Sequence, residues 1–202
     1  DKKVNQSLLS EVMVSFIDLY HTSTGIIPTY DIEERDFSIQ EGEKRYNFDT
    51  LPYGLTNKEV GNIYRKYGNQ YDHIIFSIHR DHCTNWLKIK SSSGKMVNIW
   101  GENFSNVFYK YDVEVCRFDD KNLANSLGTI YHEVHHSHNT TIKTYLGASV
   151  EQIPALGIKD WDNDITHGGG AFWDYIRHNE NQASLVAIAP LLKQAYEKRN
   201  QV

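Results

Sequence analysis

Residues 131–136 read Tyr-His-Glu-Val-His-His, which places His132 and His136 four apart with Glu133 directly behind the first. Four residues of helix turn through roughly 400°, so both imidazoles fall on one face about one turn apart. Two neutral imidazoles at that spacing can share one Zn2+ at ~2.0–2.1 Å each. Glu133, one residue on from His132, reaches a water on that metal without taking a ligand position. Zinc acidifies such a water towards a pKa of ~7. The carboxylate takes the proton as the water attacks a carbonyl, then hands it to the leaving amine. This is amide hydrolysis with no covalent intermediate. The bland alternative is a His-rich helix, since His135 and His138 lie in the same stretch. Such a cluster could bind metal without catalysis, in a module used for adhesion or partner binding. Glu133 favours hydrolysis, because zinc binding alone has no use for a carboxylate at that position.

Two imidazoles leave a tetrahedral zinc in need of a third protein ligand. The metzincin continuation requires Gly at 139 and His or Asp at 142. The chain has Asn139 and Ile142, which excludes that subclass. The leading candidate is Glu180, in the run Asn-Glu-Asn-Gln-Ala at 179–183. A helix packed across the motif helix would aim one carboxylate at the metal, and Ala183 would permit close approach of the two. Glu151, Asp164, His167 and His138 remain as alternatives, and His167, just before three consecutive glycines, could line a cleft.

In these features the chain resembles the zincin peptidases and, among them, the gluzincins. The lethal-factor-like bacterial peptidases are the nearest in pattern. They share the motif helix, a connection of about this length and a second helix with Glu-x-x-Ala. The resemblance covers roughly residues 122–195. It implies Glu180 as third zinc ligand and a tyrosine just upstream, here Tyr175, that stabilises the oxyanion. It also implies an edge strand over the motif helix that pairs with an extended protein or peptide substrate. Residues 86–90 and 96–100 are the candidates for that strand.

The elements that must hold these residues can be read from periodicity. Residues 7–20 place Leu8, Leu9, Val12, Met13, Phe16, Ile17 and Tyr20 at helical spacing behind Ser7 as cap, with Gly25 and Pro28 to end the helix. Thr-Asn-Lys-Glu at 56–59 reads as a capping box opening a short helix that Gly68 closes. The period then changes to strands at 73–78, 86–90, 96–100 and 113–118, with Ser-Ser-Ser-Gly at 91–94 as a hairpin signal. Residues 122–137 return to helical spacing through Leu123, Leu127, Ile130 and Val134. A loop-like stretch spans 157–170, and a long helix from about 171 to 199 follows, with Pro190 as a kink point. The expectation is an α+β, zincin-like fold. A mixed or antiparallel sheet packs on the active-site helix, with a C-terminal helical part, in a single domain over 1–202: helices then sheet to 120, and the active-site helix and C-terminal helices from 121.

Composition agrees with that size and narrows the partners. The 202 residues are 40% hydrophobic and 12% aromatic, which is globular composition. The net charge is −5, and Lys and Arg occur at most in pairs, such as Lys44 with Arg45 and Arg65 with Lys66. No basic face for nucleic acid can be assembled from them. No apolar run approaches the ~20 residues of a membrane span. Cys83 and Cys116 could form one disulfide between neighbouring strands or be two small buried hydrophobes. Asn-x-Ser/Thr triplets at Asn5, Asn103 and Asn139 are the pattern of a secreted or cell-surface protein. The sequence therefore predicts a secreted Zn2+-dependent peptidase.

Overall fold

The computed structural model describes residues 3–34, 66–67, 70–83, 88–90, 96–98, 101–103, 112–147 and 179–201. The first helix, α1, runs Gln6–Thr24. Its cap is Asn5 and not Ser7: the Asn5 side-chain oxygen accepts from the Ser7 and Leu8 amides at 3.0 and 3.2 Å. Both residue types cap well, and the two lie close enough in sequence for either to serve. Gly25, at φ 75°, closes the helix by donating to the His21 carbonyl at 2.8 Å.

The strands are β1 (His73–His79), β2 (Lys88–Lys90), β3 (Met96–Asn98), β4 (Gly101–Asn103) and β5 (Asp112–Phe118), with one helical turn, α2 (Arg80–Cys83), after β1. Two long helices follow: α3 (Leu123–Leu146) and α4 (Asn179–Gln201). The fold class is α+β, as expected. The three-stranded sheet is mixed, in the order β1-β5-β4. β1 runs parallel to β5 from His73↔Asp112 to His79↔Phe118. β4 runs antiparallel to β5, with Gly101 opposite Cys116. β2 and β3 form a separate antiparallel pair around Ile89↔Val97, which agrees with the hairpin reading. Neither of the two segments expected as the edge therefore lies in the three-stranded sheet, whose edges among the described residues are β1 and β4. Three residues, Gly-Glu-Asn, carry no alternation by which sequence could have marked them.

α3 extends nine residues past the expected end at 137. Asn139, Thr140 and Thr141 are weak helix formers, but Ile142 beyond them is fully buried. Its packing against Leu192 and Ala195 of α4 prolongs the helix until Gly147 ends it at φ 75°. The main core joins α1, β5 and α3 through Val12, Phe16, Tyr20, Cys116, Phe118, Ile130, Tyr131 and Val134. Cys116 packs there as a small hydrophobe; the side chain of Cys83 lies outside the described residues. Pro190 sits inside α4 on its exposed side. The capping-box helix, beyond helical Lys66 and Tyr67, and the 157–170 stretch also lie outside the described residues. No described helix is long and apolar enough to cross a membrane.

Candidate active site

α3 is enclosed on most sides, and its sectors have distinct neighbours. The connection from β5 fixes where it starts. Ser126 Oγ accepts from the Asp119 amide at 2.8 Å, and Asn122 caps the first turn through the Asn125 amide at 3.2 Å. Arg80 anchors the same corner by an ion pair to Asp119 at 2.9 Å. One sector, with Glu133, Ser137 and Thr141, faces the sheet. A second, with Tyr131, His135 and His138, faces α1. Between them His132 and His136 stay partly exposed.

The His132 and His136 side chains converge. Their Nε2 atoms lie 3.2 Å apart with the rings nearly perpendicular, at 83°. Two ligands ~2.0–2.1 Å from a tetrahedral zinc are separated by about 3.3 Å, so the pair already has the spacing of a chelate. Glu133 is buried, at 5% exposure, beneath β4, where Gly101 faces it and Thr129.

On the sheet side of α3 lies a buried polar chain that the sequence did not reveal. Glu114 of β5 is fully buried and its Oε1 accepts from Ser137 Oγ at 2.5 Å and from His73 Nδ1 at 2.8 Å. Burial would depress His73, but the charge and hydrogen bond of Glu114, helped by Asp112 and Asp72, outweigh it and push its pKa up to about 9. Protonated His73 donates from both nitrogens, so Tyr196 Oη accepts from Nε2 at 2.8 Å. The Tyr196 proton is then available to His138 Nδ1 at 3.4 Å, and His138 Nε2 meets the Tyr20 hydroxyl at 2.5 Å. Burial, then His135 and His73, hold His138 well below the ordinary range and so neutral. Burial likewise raises Tyr20 and Tyr196, which stay phenols. Beside this chain, Arg199 of α4 is 2% exposed and bonds Asp72 at 2.5 Å and Asp112 at 3.4 Å. Thr141 adds a bond to Asp112 at 3.2 Å. The network ties β1, β5, α1, α3 and α4 together around the motif helix.

This network has a testable pH signature. The folded pKa of His73 lies above its ordinary 6.5, so its stabilisation is fully present below pH 6.5 and is lost as pH rises through about 9. Across that window the slope should approach one proton, ~1.4 kcal/mol per pH unit. Denaturant unfolding of the wild type at several pH values should show it, and His73→Gln, which does not titrate, should lack it. An equal alkaline slope in the variant would remove His73 as the cause.

The described structure thus brings the His132 and His136 rings together, with Glu133 buried on the same helix. His138 is turned roughly 200° around the helix from His136, with both ring nitrogens engaged by tyrosines. It is therefore no candidate for the third ligand. Glu180 falls in the first turn of α4, and its side chain lies outside the described residues, as do Tyr175, Glu151, Asp164 and His167. Among the described residues no group of three or more His, Cys, Asp or Glu could hold a metal ion. Sequence reading missed Gly101. The one signal available was that a glycine within a strand often marks close approach of other atoms. No family model matches the chain, and no curated protein or solved structure matches it.

Proposed function

We propose that this chain is a zinc-dependent peptidase with a zincin-like fold, its metal held by His132, His136 and Glu180. The observation that carries the proposal is the 3.2 Å approach of the two Nε2 atoms with Glu133 buried alongside. The donor set supports the ion: two imidazoles at chelating distance, both partly exposed. When bound, zinc supplies the Lewis acid that acidifies a water and polarises the scissile carbonyl.

The rest of the chemistry belongs to the chain. The Glu133 carboxylate takes the proton of the attacking water and delivers it to the leaving amine. Tyr175 donates to the developing oxyanion, a role that rests on the family resemblance. β4, at the edge of the described sheet and against α3, offers backbone groups to an extended peptide. The substrate is accordingly a protein or peptide, and the pattern of Asn-x-Ser/Thr triplets suits a secreted enzyme.

The test is metal content together with digestion of a denatured protein mixture. One zinc per chain and cleavage that a chelator abolishes are expected. Zinc without cleavage of any substrate would point to a non-catalytic metal-binding module, and absence of zinc would sink both readings.

A further inference from the structure

We propose that Gly101 is a positioning residue for Glu133: the missing side chain at this point of β4 is the room in which the carboxylate is held. The inference rests on the peptidase reading above. A Cβ placed on Gly101 would lie 2.6 Å from Glu133 Oε1, 2.8 Å from Glu133 Cγ and 2.8 Å from Thr129 Cγ2. Carbon atoms pack at ~3.5–4.0 Å, so any side chain at 101 forces something to move.

The backbones on either side are the parts least able to yield. Gly101 is paired with Cys116, which is 1% exposed in the core. α3 is fixed by its Asn122 cap, by Ser126 against Asp119, and by buried Ile130 and Val134. Thr129 is tethered through its hydroxyl to the Asn125 carbonyl at 2.8 Å, which fixes its methyl group. The neighbour with the most rotatable bonds is the Glu133 side chain, and its carboxylate is the group that a Cβ at 101 meets first. Gly101 is not among the described glycines with positive φ, so alanine is acceptable to its backbone. Gly101→Ala therefore adds side-chain volume without backbone strain. Because the Thr129 methyl and Glu133 Cγ are met as well as the carboxylate, it should cost some stability and, through the displaced carboxylate, much activity.

The expected result for Gly101→Ala is unchanged zinc stoichiometry, a lowered melting temperature with the chain still folded at the assay temperature, and kcat lower by about a hundredfold with KM little changed. A misplacement near 1 Å has that size of effect. In metal-free protein the 13C resonance of the Glu133 carboxyl should shift. In the Glu133→Gln background Gly101→Ala should cost little more, because the group it displaces is already inert; a merely structural role would lower both backgrounds alike. Wild-type activity together with an unmoved carboxyl resonance overturns the assignment, as does an equal loss in both backgrounds. If zinc-loaded wild type cleaves nothing, the peptidase reading itself fails, and the role given to Gly101 fails with it.

Discussion

Glu133→Gln is expected to keep zinc and the fold while losing about 10²–10⁴-fold in kcat, the range that a positioned general base contributes. The amide is nearly isosteric with the carboxylate, so it fills the same space under Gly101 and against Thr129. It cannot accept the proton of an attacking water. The fold should hold, because the amide keeps the volume of the side chain in its enclosed position. The measurements are kcat on a substrate found by digestion, zinc per chain, and melting temperature. Turnover near wild type would take Glu133 out of the mechanism. Loss of zinc along with activity would mean that the carboxylate organises the metal site instead.

The motif was legible because its chemistry is local. Two imidazoles on one helix face need only a four-residue spacing, and the apolar stripe of Leu123, Leu127, Ile130 and Val134 supplied the helix. The sheet face of β5 was not legible. Alternation in residues 112–118 admits two registers, and the one with Val113 and Val115 inward looks the more apolar. The structure buries Asp112, Glu114, Cys116 and Phe118. Phe118 and Cys116 gain by that choice, and the two carboxylates are acceptable only because partners meet them. His73 lies 41 residues from Glu114, Ser137 lies 23 from it, and Arg199 lies 87 from Asp112. Charges are buried where they can be paired, and pairing across such separations is a property of the finished fold. Gly101 was hidden for the same reason, since the atoms its hydrogen leaves room for come from a helix beginning twenty-two residues later.

Removing either histidine of the pair should strip the metal. His132→Ala or His136→Ala leaves one imidazole where two converge at 3.2 Å, and zinc affinity should fall by more than the ~10–100-fold that loss of an outer-shell partner costs. Both side chains are partly exposed, so truncation should leave the core intact. If both variants keep stoichiometric zinc, the metal is bound elsewhere and the peptidase reading fails. The third ligand is tested by the same titration, run on Glu180→Ala and Glu151→Ala at one pH because protons compete for ligands. Glu180→Ala should weaken zinc on the scale of the histidine variants, leaving two imidazoles, and chelators should remove the metal faster. Glu151→Ala should leave affinity near wild type. A larger loss in Glu151→Ala would move the ligand to that residue while leaving hydrolysis by the His132–Glu133–His136 set in place. No loss in either would leave Asp164 or His167 as the ligand, because His138 is committed to Tyr20 and Tyr196 on the opposite side of the helix.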